Sequence, residues 1–189
     1  KRISLIHQSA IRLLNLINKI LDFRKAETRN MPLKISQGYL SKLIREIGLK
    51  YKELNRNEDI TLQIVTEPDE QPICFDEEKV YIIVDNLLSN AFKYTPSKGK
   101  IEFVVNVDES AGRLKMSVSD TGVGIPKEKR GELFKRFMQS NFSGDSVGVG
   151  LHLTHELVNV HKGTITYEEN PGGGSIFIVT LPTDKSVYE

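Results

Sequence analysis

The first 29 residues carry the most regular hydrophobic pattern of the chain. Their apolar side chains recur at alternating steps of three and four, the spacing of a heptad repeat. The repeat positions are Ile3, Ile6, Ala10, Leu13, Ile17 and Ile20, and the stripe is widened by Leu14 and Leu21. This width predicts a helix of a bundle, which needs partner helices to cover its apolar face. Pro32 in "NMP" predicts the end of this helix and a hinge over residues 30–33.

The pattern changes after Leu33 to a mixture of helical and extended segments. Helical spacing predicts helices over residues 40–54, 76–95, 129–138 and 151–162. Alternating apolar and polar positions predict strands over residues 60–65, 100–107, 113–120, 163–170 and 175–182. The last two strands flank the turn "PGGG", so we expect them to form a hairpin. Residues 184–189 are expected to be a frayed tail.

Composition and charge narrow the possible partners. The formal net charge is +1, and no basic stripe with interleaved aromatics occurs, so a nucleic-acid partner is not expected. Cys74 is the only cysteine, which excludes an internal disulfide. No apolar run approaches the roughly 20 residues needed to span a bilayer. Because the chain starts at Lys1 rather than at a methionine, we expect it to be a piece of a longer protein.

Three polar side chains share one face of the helix predicted over residues 76–95. Asn86, Asn90 and Lys93 are spaced by four and three residues, so they stack along the helix. Asparagine is a mediocre helix former, and two of them inside an otherwise strong helix indicate a use. Carboxamide oxygens suit Mg²⁺ that bridges substrate phosphates, and a lysine supplies a point charge for those phosphates. A solvated helix face is the structural alternative.

Two glycine pairs follow. In "SDTGVGIP", Gly122 and Gly124 directly follow a strand that ends in Asp120, and they allow a sharp turn or the close approach of another group. In "SVGVGLHLTHEL", Gly148 and Gly150 precede a predicted helix, whose free amides form a ready phosphate site. The small polar residues before this second pair are typical of a mobile lid. Each pair alone also fits an ordinary turn.

Together, the order and spacing of these features resemble the ATP-binding domain of histidine protein kinases. "NLLSNAFKYT" resembles the N box of that family, "DTGVGIP" its first glycine box, "LFKRF" its F box and "GVGL" its second glycine box. "ELVNVHKGTI" and "GGGSIFIVTLP" resemble its closing pattern, so the resemblance covers essentially the whole chain. It implies the Bergerat fold, a two-layer α/β (α+β) sandwich with a mixed sheet packed on helices, here preceded by one long amphipathic helix.

The resemblance also implies a division of the chain. Residues 1–29 resemble the second helix of a dimerisation and histidine-phosphotransfer hairpin whose first helix is missing, and the parent protein is expected to form a homodimer through them. Residues 30–33 are the expected hinge, and residues 34–183 the expected ATP-binding catalytic domain. The implied cofactors are ATP and Mg²⁺.

The same resemblance implies roles for the motif residues. Asp120 accepts a hydrogen bond from the adenine amino group. Asn90, the implied Mg²⁺ ligand, and Lys93, which touches phosphate, are the implied catalytic pair. The implied nucleotide-binding set is Asn86, Asn90, Lys93, Tyr94, Asp120, Gly122, Gly124, Ile125, Phe137, Val147, Gly148, Val149, Gly150 and Leu151.

Two positions depart from the family pattern. Gln139 stands where many relatives have an arginine, which puts charge stabilisation of the γ-phosphate in doubt, and Ser146 replaces an extra glycine of the second glycine box. Phe134 and Phe137 are expected to anchor the lid, with plain core packing as the alternative.

The implied activity is that of a protein-histidine kinase. ATP donates its γ-phosphate to a histidine on the parent's helical hairpin, and the phosphate passes to an aspartate of a response-regulator receiver domain. No histidine here has the right setting to be the acceptor: His7 is followed by Gln8, and His155-Glu156 is interpreted as a surface pair of a helix. The resemblance implies a cytoplasmic domain, in a family whose parent proteins are commonly anchored in the membrane.

Three alternatives stay open at this point. The domain could be a non-catalytic module that binds nucleotide or a partner, or a serine kinase of the anti-sigma type. A gyrase- or chaperone-like ATPase is the third, but those proteins place a glutamate early in the asparagine helix. Here the position four before Asn90 is Asn86, with Asp85 adjacent.

Overall fold

The computed structural model describes residues 32–55, 59–67, 72–135 and 150–188. The helix predicted over residues 1–29 lies outside these ranges, and so does most of the predicted hinge. Phe137, Gln139 and the residues from Ser146 to Val149 also lie outside them. Among the described helices, none is both long and apolar enough to cross a membrane.

The described residues form two sheets and a set of helices. In chain order the elements are β1 (Ser36–Tyr39), α1 (Leu40–Leu54), β2 (Thr61–Glu67), β3 (Pro72–Phe75), α2 (Glu77–Tyr94), β4 (Lys100–Asp108), β5 (Arg113–Asp120), α3 (Lys127–Arg130), α4 (Gly150–Val160), β6 (Thr164–Glu169), β7 (Ser175–Pro182) and a 3₁₀ helix (Lys185–Val187).

The larger sheet has five strands in the order β2-β4-β5-β7-β6. β2 and β4 are parallel, and the other neighbours are antiparallel. The β4–β5 and β6–β7 hairpins place Asp120 opposite Ile101, and Glu169 opposite Ser175. β1 and β3 form a separate antiparallel pair. The sheet is therefore mixed, as expected.

The helices cover one face of this sheet. Alternate residues of β4, β5 and β7 are buried, because successive side chains of a strand point to opposite faces. They meet the apolar faces of α1, α2 and α4 in one continuous core. The largest fully buried side chains include Phe103, Met116, Leu87 and Leu157. This arrangement confirms the predicted two-layer sandwich.

The start of α2 is fixed by a buried ion pair. Asp76 caps the helix, with Oδ1 accepting from the Lys79 amide at 3.0 Å, as the sequence predicted for a helix starting near Asp76. Oδ2 accepts from the Lys34 amide and from Lys79 Nζ, both at 2.7 Å. Lys79 Nζ also donates to the Pro32 carbonyl at 3.1 Å. Burial opposes the charge of Asp76, but these hydrogen bonds outweigh it and lower the pKa of the carboxyl.

The C-terminal residues correct one prediction. Residues 184–188 are not frayed: they form a 3₁₀ helix in which Asp184 Oδ1 accepts from the Ser186 amide at 2.9 Å. The Tyr188 hydroxyl donates to the Pro182 carbonyl at 2.7 Å, and its ring meets that of buried His161 edge-on at 6.2 Å. The aromatic contact supplies the burial that a free tail would lack.

The patch predicted as helical over residues 129–138 also differs. The helix runs from Lys127 to Arg130 and continues as turns through Phe134. Pro126 precedes its first residue, and Gly131 stands at its C-cap. Glycine is a poor helix former, which favours the end of the helix at Gly131. Residues 136–138 of the predicted patch lie outside the described residues.

Candidate functional site

Asp120 lies at the end of β5 with its carboxylate held by main-chain amides. Oδ1 accepts from the Gly122 amide at 2.8 Å and from the Ser175 amide at 3.3 Å. The residue is only 5% exposed. Burial raises the pKa of the carboxyl, and the two amide hydrogen bonds offset only part of that effect. Both bonds go to Oδ1, so within the described residues Oδ2 is available to accept from a ligand.

The glycine loop after Asp120 packs against the end of α2. A Cβ at Gly122 would collide with the carbonyl oxygen of Tyr94, and the Val123 amide donates to that oxygen at 3.3 Å. Gly124 has a φ of +66°, which a residue with a side chain rarely adopts. The predicted need for glycine at both positions is thus explained by close backbone approach at one and by conformation at the other.

Two side chains that the sequence reasoning missed hold this loop from the side of β6. Asn170 Nδ2 donates to the Asp120 carbonyl at 2.8 Å. Arg130 Nε donates to the Ile125 carbonyl at 2.9 Å, and its Nη2 pairs with Glu169 Oε2 at 3.0 Å. The only local signal for Asn170 was its position before a glycine-rich turn, and Arg130 gave none.

The polar stripe of α2 meets the start of α4. Asn86 is buried, with 4% of its surface exposed. Its Nδ2 donates a long hydrogen bond to the Gly150 carbonyl at 3.5 Å. Asn90 is half-buried and Lys93 is exposed, with Nζ 5.4 Å from the centre of the Tyr94 ring. Within the described residues, the side chain of Asn90 makes no hydrogen bond. The structure therefore brings the stripe and the last glycine of the second pair together.

The other predicted site residues divide into two groups. Ile125 and Leu151 are half-buried and pack against the core, so each also has a structural role. Phe137, Val147, Gly148 and Val149 lie outside the described residues and stay predictions. Phe134 packs against the core and stacks on His155 at 5.4 Å, which agrees with the packing alternative.

Asp85 of α2 faces α1 and is held there by hydrogen bonds. Its Oδ1 accepts from Lys50 Nζ at 2.6 Å and from the Tyr51 hydroxyl at 3.0 Å. The Tyr51 hydroxyl also donates to the Asp85 carbonyl at 2.9 Å. This carboxylate ties α1 to α2, which removes it as a substitute for the glutamate of gyrase-like ATPases.

The histidines of the described residues are held in structural contacts. His161 is fully buried, its Nδ1 lies 2.7 Å from the Leu157 carbonyl, and burial lowers its pKa. His155 Nδ1 lies 3.3 Å from Glu156 Oε1, as predicted for a surface pair. His152 Nδ1 lies 2.7 Å from the Phe134 carbonyl.

The donor set at α2 fits a hard divalent cation that is mainly coordinated by phosphates and water. Asn90 offers a neutral carboxamide oxygen, and Lys93 offers a charge one turn along the helix. In the described ranges, no group of His, Cys, Asp and Glu could hold a metal ion alone. A metal here would thus depend on the phosphates of a ligand.

Comparison with known families agrees with this geometry. The family described as histidine kinase-, DNA gyrase B- and HSP90-like ATPases matches residues 75–185. The match covers more than half of the chain and includes α2, the glycine loop, α4 and the β6–β7 hairpin. The chain belongs to this ATPase family, and the resemblance noted from its motifs is confirmed.

Relatives within the family are histidine kinases. Sensor histidine kinase TmoS of Ectopseudomonas mendocina is 38% identical over 186 residues, which are 96% of this chain and 19% of TmoS. The catalytic domain of histidine kinase ThkA is 25% identical with a TM-score of 0.72, over 80% of this chain and 97% of that domain. Full-length ShkA in complex with AMPPNP shares the fold, with a TM-score of 0.83 at 24% identity over 95% of this chain and 37% of ShkA. The chain spans about a fifth of the length of TmoS.

Proposed function

We propose that this chain is the ATP-binding catalytic domain of a sensor histidine kinase. It binds Mg-ATP and donates the γ-phosphate to a histidine on a separate helical hairpin of the parent protein. The observation that carries the proposal is the pairing of one buried carboxylate with a polar helix stripe. The glycine loop after Asp120 contacts the end of α2, the helix that carries the stripe of Asn86, Asn90 and Lys93. Gly150, at the start of α4, contacts Asn86 of the same helix.

The base of the nucleotide is assigned to the Asp120 side. A carboxylate whose Oδ1 is taken by two amides presents Oδ2 to a donor, and the adenine amino group is such a donor. We call residues 120–125 and 170–175 the base end of the site. Asp120 reads the base there and takes no part in proton transfer.

The phosphates are assigned to Asn86, Asn90, Lys93 and Gly150, which we call the phosphate end. Asn90 and Lys93 would hold Mg²⁺ and phosphate oxygens, and bound Mg²⁺ would neutralise charge on the β- and γ-phosphates. Gly150, Leu151 and the predicted set Val147, Gly148 and Val149 would cover the phosphates at the start of α4, with Phe137 as lid anchor.

The reaction is a phosphoryl transfer. A nitrogen of the acceptor imidazole attacks the γ-phosphorus, the bond from that phosphorus to the β–γ bridging oxygen breaks, and ADP leaves. The chain's contribution is positioning and charge neutralisation, because such a transition state needs little covalent help. The acceptor hairpin, a homodimer through residues 1–29 and a response-regulator receiver domain are the proposed partners.

The test is Mg²⁺-dependent ATP binding, measured by calorimetry on the native chain, Asn90→Ala and Asp120→Ala. Loss of a hydrogen bond to a charged group should weaken binding about 10- to 100-fold for Asp120→Ala. Exposed residues of the same type, changed as Asn106→Ala and Asp108→Ala, are the matched controls.

Phosphotransfer to an added histidine hairpin is the second stage. Labelled phosphate should appear on the hairpin with the native chain and not with Asn90→Ala. A chain that binds Mg-ATP but transfers nothing would be a non-catalytic nucleotide-binding module. A chain that binds no nucleotide would contradict the whole proposal.

A further inference from the structure

Asn170 connects the end of β6 to the end of β5. Its Nδ2 donates to the main-chain carbonyl of Asp120 at 2.8 Å, across 50 residues of sequence. The residue directly follows β6 and opens the turn to β7. Because this carbonyl belongs to the residue that carries the buried carboxylate, the bond fixes the backbone from which that carboxylate projects.

The remaining polar groups of Asn170 shape the turn itself. Oδ1 accepts from the Gly172 amide at 3.4 Å. The Asn170 amide donates to the Gly174 carbonyl at 3.3 Å, and the Asn170 carbonyl accepts from the Gly173 amide at 2.8 Å. Asn170 thus closes the turn through its main chain and Oδ1, and its Nδ2 attaches the turn to β5.

The turn contacts Asp120 from two further directions. Gly174 has a φ of +101°, and a Cβ there would collide with the Asp120 carbonyl oxygen. The next residue, Ser175, donates its amide to Asp120 Oδ1 at 3.3 Å. The carbonyl and the carboxylate of Asp120 therefore both rest on a turn whose shape depends on Asn170.

We infer that Asn170 is a positioning residue for base selection: it holds Asp120 so that the free carboxylate oxygen meets the amino group of adenine. This inference rests on the proposed role of Asp120. A fixed acceptor rejects a base that has a carbonyl oxygen in place of that amino group, because two acceptors then face each other in a buried site. If the carboxylate can rotate away from that carbonyl oxygen, the site discriminates less strongly against such a base.

The experiment compares the affinities for ATP and for ITP, which carries a carbonyl oxygen where ATP has the amino group. Both dissociation constants are measured by calorimetry on the full chain, with Mg²⁺, for the native protein, Asn170→Ala and Asn170→Asp. Asn170→Asp keeps an acceptor for the Gly172 amide but cannot donate to the Asp120 carbonyl. Each change should lower the ATP-to-ITP preference about tenfold, mainly through weaker ATP binding. Asn159→Ala, at an exposed asparagine of α4, should leave the preference unchanged.

The ratio separates positioning from a purely structural role. If Asn170 only stabilised the fold, its variants would lower the melting temperature or weaken both nucleotides equally, with the preference intact. That result in both variants would overturn the inference. If Asn170→Ala fails to fold, the ATP-to-ITP preference of Asn170→Asp alone decides the question.

Asp120→Ala distinguishes failure of the inference from failure of the proposed function. If Asp120→Ala keeps the native ATP-to-ITP preference, Asp120 does not read the base and both proposals fail. If Asp120→Ala loses the preference while both Asn170 variants keep it, only the inference fails. In the double variant, Asn170→Ala should cause no further loss of preference beyond that of Asp120→Ala, and an additive loss would contradict the inference.

Discussion

At the base end of the site, Asp120 is held by the amides of Gly122 and Ser175 and through its carbonyl by Asn170. At the phosphate end, the side chain of Asn86 makes one long contact, and the side chain of Asn90 makes no hydrogen bond in the described ranges. The folded protein thus supplies partners for the polar groups of the base end, and among the described residues it supplies few for the side chains of the phosphate end.

The two ends differ in the stage at which their polar side chains acquire hydrogen-bond partners. Bonds that hold the base end form as the chain folds, so recognition of the base needs little further ordering. In the proposed site, the phosphate end would gain its partners only from a bound ligand. We therefore expect changes at the base end to alter stability and specificity together, and changes at the phosphate end to alter binding with little effect on stability.

The largest difference in stability between the two ends is expected when a methyl group is added to a glycine at each end. Gly122→Ala forces a Cβ against the Tyr94 carbonyl and should cost about 1–3 kcal/mol of unfolding free energy. At the phosphate end, a Cβ at Gly150 meets only Asn86 Oδ1 at an ordinary 3.5 Å, so Gly150→Ala should change stability by less than about 0.5 kcal/mol. Urea denaturation of the two variants measures both values. Equal losses would remove the distinction between the two ends.

Removing the charge of Asp120 should raise the stability of the domain and weaken its binding of ATP. Burial raises the pKa of this carboxyl in the folded state, so the folded chain holds the proton more tightly than the unfolded chain. Stability from this group falls as the pH rises from its ordinary pKa of 3.8 through the raised folded value. Asp120→Asn lacks that loss, so it should melt at a higher temperature at pH 7 while binding ATP more weakly.

Melting temperatures of both proteins between pH 4 and pH 8, together with ATP titrations, test this expectation. Asp76 provides the opposite case, because its pKa is lowered and its contribution is lost as the pH falls through the folded value. A lower melting temperature for Asp120→Asn at neutral pH would show that the carboxylate is well stabilised in the empty site.

A smaller effect is expected where Arg130 holds the far side of the glycine loop. Its ion pair with Glu169 is partly exposed, so Arg130→Gln should cost at most about 1 kcal/mol of stability. Loss of the bond to the Ile125 carbonyl should weaken ATP binding about two- to fivefold. Lys135→Gln, which breaks the exposed pair with Glu132, is the control. Identical ATP affinities for the two variants would show that Arg130 does not support the base end.

Local patterns were enough to predict the main elements. α2 followed from its apolar spacing, and β4, β5 and β7 followed from alternation, because each of these signals lies within a few neighbouring residues. β1 and β3 were missed. Each has four residues, too few for a clear pattern, and within the described part of the chain each pairs only with the other, across more than 30 residues.

The same limit applies to the site. Asp120 and the glycines sit in a motif whose order is visible in the sequence. The role of Asn170 depends on which carbonyl it meets 50 residues away, and the role of Asp85 depends on Lys50 and Tyr51 of another helix. Such contacts arise only when the hairpins and helices are assembled.

The Pro32 carbonyl and the Lys34 amide are anchored by Lys79 and Asp76 at the first turn of α2. Asn90 lies 14 residues beyond Asp76, about 21 Å along the helix axis. The length of this helix therefore fixes the distance between the point where the preceding chain is attached and the point where phosphate is expected. In the proposed kinase, a rotation of the domain about that attachment would carry the phosphate end along an arc of this radius, and the length of α2 would set how far that end reaches.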